Sequence, residues 1–340
     1  MKDTLDIERF DDLLRYFRER GHLKREEVPA FTNLRGGISN RTVVVERPDG
    51  RAYVLKQALE KLRVQTDWRS EPRRIHLEAL GLVWLERLTP PGTITPLLFE
   101  DPAHHLLAMQ AVPHPHENWK VRLLSGGLET RHVQQFALCL GDIHRCSNEQ
   151  KEQLSVLFDD RTFFETLRLE PYYRYTAARN PATVRFFADL IAETMAARVS
   201  LVHGDFSPKN VLIYQDKLVL LDHEVIHFGD PAFDVGFALT HLLSKAHHLA
   251  EQREAFLNAA RFFWQTYQQT AGRLAAPPEF SARAARHTLG CLLGRVDGRS
   301  PLEYLNQPER DRQRTLVLSL MAQVPANVYE LTQRFGDGLR

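Results

Sequence analysis

The sequence predicts an α+β protein of two lobes. The N-terminal lobe is built on an antiparallel β-sheet with one key helix, and the C-terminal lobe is larger and mainly α-helical. Three observations carry this. Apolar strands joined by turns fill residues 41–56 and 94–109, with one helical pattern between them. Gln110-Ala-Val-Pro-His-Pro-His116 then breaks all periodicity with two prolines. Beyond it the long segments have helical spacing, apart from a short strand–loop–strand passage between Leu201 and Glu224. The lobe boundary is accordingly expected at 112/113, giving lobes 1–112 and 113–340.

Bulk composition narrows the function classes. A chain of 340 residues is long enough for two proper cores. With 43% hydrophobic and 26% charged residues, its make-up is that of an ordinary globular protein. A formal net charge of +1 gives no global basic field for nucleic acid. No apolar run approaches the roughly 18 residues of a membrane span, and Met1-Lys-Asp-Thr-Leu-Asp-Ile7 has no apolar signal core. Cys139, Cys146 and Cys291 form no C-x-x-C pair, which fits reduced thiols and a cytoplasmic setting. Neither nucleic acid nor a membrane is expected as a partner; a homodimer stays open.

Residues 4–20 read as an amphipathic helix, with Phe10, Leu13, Leu14 and Phe17 on one face and Gly21 as its stop. Its expected role is packing. Leu34-Arg-Gly-Gly-Ile-Ser-Asn40 leads into a hairpin: strand 41–46, a turn at Pro48-Asp-Gly50, and strand 51–56 ending on Lys56. Adjacent Gly36 and Gly37 let a backbone approach a phosphate, although the pattern matches no standard phosphate loop and an ordinary turn explains it too. A helix follows to about Arg87, with Ser70 as its cap and Pro72 in its first turn. Glu78 stands three residues after Ile75 and four before Leu82, on the apolar stripe. A carboxylate facing a core needs a partner. Lys56 is the natural one; Glu71, at the helix start, is the alternative partner for that lysine. Residues 94–99 and 106–109 read as two more strands, joined by a turn at Asp101-Pro102. His114 and His116 have ligand-like spacing, but without a third ligand nearby a solvated loop is expected.

From Glu129 the chain turns helical, with Val133, Phe136, Ala137, Leu140 and Ile143 as the stripe and His144 as a packed core histidine. The aromatic, arginine-rich segment 163–175 reads as an irregular helical insertion that packs or forms a cleft wall. Residues 182–197 are helical, and so are 253–270, 281–294 and 307–336. Arg295 and Arg299 either reach an anionic group or cap helix ends.

The chemistry concentrates in the central passage. His203-Gly-Asp-x-x-x-x-Asn210 presents Asp205 on a loop after a strand, and Pro208 and Lys209 suit a bend that returns Asn210. Residues 211–213 and 218–221 form a hairpin, from which Asp222 emerges, followed by Glu224. Mg-assisted phosphoryl transfer needs a base for an attacking hydroxyl and oxygen ligands for the metal. Asp222-x-Glu224 is expected to set two carboxylates on the same side of an extended segment, suited to one or two Mg²⁺. A strand lysine held by a helix glutamate aims an ammonium at nucleotide phosphates. Two other readings exist. Asp205 and Asp222 could only cap turns, or zinc or iron could sit among His203, Asp205, Asp222, His223 and His227, whose spacing does not suit such sites. The short path from Asp222 to Asp234 leaves no room for a peptide-docking segment, which argues for a small acceptor. Asp234 can cap a helix over 235–244, brace the catalytic loop, or both.

The loop resembles the protein-kinase catalytic loop H-R-D-x-x-x-x-N, with Gly204 in the Arg position. The chain is similar to the aminoglycoside-phosphotransferase-type small-molecule kinases, and within them most to the methylthioribose kinase branch. Beyond that loop, the likeness rests on Gly36-Gly-Ile-Ser-Asn40, on Lys56-Gln-Ala-Leu59 with Arg74-Ile-His-Leu-Glu-Ala-Leu80, and on Asp222-x-Glu224 followed by Gly229 and Phe233-Asp-Val-Gly236. It spans about residues 5–305. The resemblance implies a bilobal protein-kinase-like fold, ATP and Mg²⁺ as cofactors, and transfer of the γ-phosphate to a hydroxyl of a small metabolite such as the sugar methylthioribose. Aminoglycoside, choline or homoserine acceptors are alternatives, as is a non-catalytic nucleotide-binding module. The implied roles are Asp205 as base, Asn210 and Asp222 as metal ligands, and Glu224 as metal or substrate ligand. Gly36, Gly37, Ser39, Asn40, Lys56 and Glu78, with Met109, Gln110 and Val112 at the strand end and hinge, are the implied nucleotide-site residues. That branch carries a serine-like residue at Asn210, a proline at His223 and paired arginines where Arg295 stands alone; these departures bear on the sugar, not on phosphoryl transfer.

Overall fold

Five strands form one antiparallel sheet in the order β1–β2–β3–β5–β4: β1 Ala30–Asn33, β2 Asn40–Glu46, β3 Ala52–Ala58, β4 Leu97–Asp101 and β5 Leu106–Gln110. The computed structural model describes residues 5–34, 37–63 and 68–340. Strand alternation sorts the side chains onto two faces. Val43, Val45, Leu55, Leu106 and Ala108 pack with Leu13, Tyr16 and Phe17 of helix α1 (Phe10–Glu19). Val54, Ala58, Leu107 and Met109 turn the other way and join Ile75, Ala79 and Leu82 of helix α2 (Arg74–Leu88). Lys56 has the parity of Val54 and Ala58, so it faces α2. This one register decides that the lysine meets Glu78.

Several local expectations change. Thr4, the expected start of the first helix, lies outside the described residues, and α1 begins at Phe10. Its buried stripe is Leu13, Tyr16 and Phe17; Phe10 is 45% exposed and only its ring edge meets Phe31. Strand β1 is an addition, because its exposed edge position gives it no apolar alternation to read. Ser70 does not cap α2: its hydroxyl has no hydrogen-bond partner among the described residues, and Arg73 occupies the cap position without a side-chain capping bond.

The larger part is helical: Thr130–Glu149, Val184–Ala196, Pro231–His248, Arg253–Ala271, Pro278–Asp297, Gln307–Ala322 and Val328–Gly338 are its long helices. The pattern expected over 307–336 is two helices, interrupted at Pro325 and restarted by the Asn327 cap, which accepts from Glu330 N. Pro231–His248 is buried along nearly its whole length. Its cap is Asp230, which accepts from Ala232 N at 3.1 Å, so the capping role expected of Asp234 falls to its neighbour. Segment 163–175 winds in a wide π-type turn over Glu165–Arg174. Phe163, Phe164 and Tyr173 are packed, while Leu167, Arg168 and Tyr172 reach the cleft. His114 and His116 stack on each other with ring centres 4.3 Å apart, His114 exposed.

Short strands then frame the centre. β6 (Glu117–Asn118), β8 (Val211–Tyr214) and β9 (Lys217–Leu220) form one small sheet, and β7 (Ser200–Val202) pairs with β10 (His227–Gly229). Leu220 N donates to Thr93 O at 2.8 Å, tying this layer to the chain between α2 and β4. The loop bearing Asp205 runs from β7 to β8.

Candidate active site

Lys56 leaves the middle of the sheet towards α2, and its Nζ donates to Glu78 Oε1 at 2.6 Å and to Asp222 Oδ1 at 2.8 Å. Burial disfavours the Lys56 charge, but the carboxylates of Asp222, Glu78 and Glu224 outweigh it and raise the ammonium above the usual lysine value. Burial likewise opposes ionisation of Asp222, yet Lys56 and Lys209 hold its carboxyl well below the usual range. Glu78 goes the other way. It is fully buried, its Oε2 has no partner among the described residues, and burial pushes it up despite Lys56. One ammonium shared by two carboxylates cannot compensate both equally.

A second buried cation fixes the other carboxylate. Arg74, with no exposed surface, donates from Nε to Glu224 Oε2 at 3.1 Å and from its Nη atoms to the carbonyls of Ser39, Leu59, Ser70 and Glu71. Asn40 Nδ2 donates to the same Glu224 oxygen at 3.2 Å. The glycine-containing loop, α2 and the Asp222–Glu224 segment are thereby joined through one guanidinium.

Asp205 sits on a braced loop. Asp234 Oδ2 accepts from His203 N at 2.6 Å and Oδ1 from Gly204 N at 2.8 Å. Gly204 has φ +76°, and a Cβ there would meet Val225 Cγ2 at 2.8 Å, so glycine is required at this point. The guanidinium near the loop comes from elsewhere: Arg168 Nη2 lies 2.9 Å from Asp205 Oδ2, and its Nε donates to Gly204 O at 2.6 Å. Asp205 N donates to His203 Nδ1 at 3.2 Å. Burial holds the His203 ring low, so it is neutral and carries its proton on Nε2, which faces His223 Nδ1 at 3.1 Å. Asn210 Nδ2 donates to Asp205 O at 3.0 Å, which leaves its Oδ1 as the available atom.

Lys56, Arg168, Asp205, Asn210, Asp222 and Glu224 border one cleft of about 810 Å³ between the sheet and the helical part, a volume within the range of ligand sites. Its wall includes Gly37, Ser39, Asn40, Lys56, Asp205, Asn210, Asp222 and Glu224. The model of the phosphotransferase enzyme family matches residues 30–275, more than half of the chain and all of these groups. The chain belongs to that family.

This phosphotransferase is 23% identical over 293 residues to the methylthioribose kinase of Pectobacterium carotovorum subsp. carotovorum (strain PC1), which covers 76% of this chain and 73% of the relative. Among solved structures it resembles an amicoumacin kinase in complex with AMP-PNP and Ca²⁺ (TM-score 0.58, 13% identity, 96% of this chain and 99% of that one). It also resembles a Plasmodium vivax ethanolamine kinase (TM-score 0.57, 11% identity, 94% and 90%). At these identities the structural likenesses show the fold alone, a kinase-like one. The family and its relatives make the protein a small-molecule kinase.

The phosphotransferase site departs from the sequence reading at the hinge and at Asp222, while Glu78 pairs with Lys56 as expected. Gly36 lies outside the described residues. Glu78 stands behind Lys56 and does not line the cleft. Met109 and Val112 are buried, with Thr95 Oγ1 donating to Met109 Sδ at 3.3 Å, and Gln110 lines a separate groove of about 470 Å³. Asp222 is left-handed at φ +66°, so the Asp222–Glu224 segment is not extended; both carboxylates reach the cleft through a turn instead. Sequence reasoning gave no role to Arg74 or Arg168. The only signal for Arg74 was its place one helical turn before Glu78, and for Arg168 the arginine-rich run it belongs to.

Proposed function

We propose that the protein is an ATP- and Mg²⁺-dependent kinase with lobes meeting near residues 112/113, moving the γ-phosphate to a hydroxyl of a small metabolite. The observation that carries the reading is the convergence on one cleft of Lys56, clamped by Glu78 and Asp222, with Asp205 on its braced loop. Lys56 holds phosphate charge. Asp205 takes the acceptor proton at Oδ1, the oxygen that Arg168 leaves free, as the acceptor oxygen bonds to phosphorus and the bond to the bridging oxygen breaks. Arg168 keeps Asp205 in position. The oxygens of Asn210, Asp222 and Glu224 are a hard donor set that fits Mg²⁺, and all three border the cleft. Bound Mg²⁺ would neutralise phosphate charge there. Ser39 and Asn40 line the phosphate side beside Gly37, with Gly36 preceding them in sequence. Methylthioribose is the first acceptor to assay, because the Pectobacterium relative carries that name.

The test is Asp205→Asn, which keeps the shape and loses the base. ADP release on an accepted substrate is expected to fall by about 10²-fold or more; turnover within about tenfold of wild type would show the base assignment to be wrong. Mg-ATP should raise the melting temperature of the wild-type protein. No shift would count against the ATP-dependent reading, and a shift without turnover on any acceptor would favour the non-catalytic nucleotide-binding module.

A further inference from the structure

The end of the cleft away from Lys56 is made by the helical part alone, and it is cationic. Arg295 and His241 line it, together with Lys120 and residues Ser300 to Glu303. Arg295 is 9% exposed and makes all three of its hydrogen bonds through Nη1, to Tyr172 Oη, Ser300 O and Ser300 Oγ; its Nε has no partner among the described residues. His241 is 2% exposed, and its Nε2 also lacks a partner among the described residues. One turn further along the same helix, Lys245 is fully buried and donates only to His241 O at 3.3 Å. Its Nζ lies 5.5 Å from the centre of the Tyr304 ring, and Lys120 Nζ lies 6.0 Å from the same ring. Glu303 is the carboxylate among the described residues that lines this end, and Lys120 bonds it.

A fully buried lysine without a carboxylate is costly, and here it stands beside an arginine and a second lysine. Burial, Lys120 and Arg295 push the Lys245 ammonium down to about 7. Burial, with Arg295 and Lys245 beside it, lowers the neighbouring His241 ring. An anion in the cleft would offset these penalties by placing a negative charge beside Arg295, Lys120 and Lys245. The donor phosphates already have a cationic group beside Asp222, in Lys56.

We infer that the acceptor of this kinase carries an anionic group, a carboxylate or a phosphate ester, bound between Arg295, His241 and Lys120 while its hydroxyl faces Asp205. The inference rests on the kinase reading above and replaces a neutral or cationic acceptor with an anionic one.

The test measures binding to the full-length protein with Mg–AMP-PNP present, using matched probes: D-ribose 5-phosphate against D-ribose, D-glycerate against glycerol, and choline as the cation. The anionic member of at least one pair is expected to bind at least tenfold more tightly than its neutral partner. Arg295→Gln is expected to remove at least tenfold of that affinity. Lys120→Met, at a partly exposed site that tolerates change better, is expected to act in the same direction. Equal binding within both pairs, preference for choline, or unchanged affinity in both variants would overturn the inference. Failure of the wild-type protein to bind Mg–AMP-PNP would sink the kinase reading instead. The probe titrations are then run without nucleotide, and their outcome still decides the anion site.

Discussion

Asp234→Asn isolates the brace of the Asp205 loop. The carboxylate is fully buried, accepts from His203 N and Gly204 N at 2.6 and 2.8 Å, and lies 3.3 Å from His144 Nε2. Asparagine has the same shape but a single acceptor oxygen, so its amide nitrogen must face one of the two backbone donors. A hydrogen bond to a charged group contributes about 1.5–3 kcal/mol, and a buried donor left unsatisfied costs about 1–3 kcal/mol. The two overlap, so the expected loss is roughly 2–4 kcal/mol. At about 2 °C per kcal/mol for a large domain, the melting temperature should fall by about 4–8 °C. Asp205 lies one residue beyond Gly204, and a displacement of about 1 Å at a reacting group costs on the order of 10²-fold. Turnover at saturating substrates should therefore drop about 10- to 100-fold, while KM for ATP changes less. Thermal unfolding and ADP release measure both. A variant that melts within about 1 °C of wild type and keeps more than about half its turnover would refute the brace.

Two further outcomes are expected. Arg74→Met removes the cation from a buried pair and leaves Glu224, only 5% exposed, with Asn40 as its remaining bonded neighbour; the cost should be about 3–5 kcal/mol, read as a lower melting temperature with a weakened Mg-ATP shift, and an unchanged melt would contradict the role given to it. Acid should destabilise the protein well above the carboxylate range. Burial holds His203, His223, His227, His241 and His287 below their ordinary value of 6.5, His227 at about 4. The folded state then binds fewer protons than the unfolded chain as pH falls through 6.5, so stability is complete above that point and is lost towards the folded values, by up to about 1.4 kcal/mol per pH unit for each ring. Melting temperatures at pH 7.5 and 5.5 test this, and a flat profile would be evidence against the neutral buried rings.

What the sequence determined by itself was the set of groups whose position follows from local periodicity. Strand parity sent Lys56 to the α2 face, helix spacing put Glu78 on the stripe that meets it, and the eight-residue span from His203 to Asn210 defined a loop between two apolar strands. The short path from Asp222 to Asp234 already spoke for a small acceptor. Only the tertiary structure decided the rest, because those contacts join residues far apart in sequence. Arg168 reaches Gly204 across 36 positions and Arg74 reaches Glu224 across 150. No periodicity marks such pairs: an arginine in a helical segment looks the same whether it ends in solvent or under a catalytic loop. Asp230 rather than Asp234 caps its helix for a similar reason, since both suit the helix start and only the fold brings His203 and Gly204 to Asp234. The cationic end of the cleft also depends on the fold, because the packing of separate helical segments sets Lys120 and Lys245 against the Tyr304 ring and brings Arg295, over the Tyr172 ring, to the same cleft.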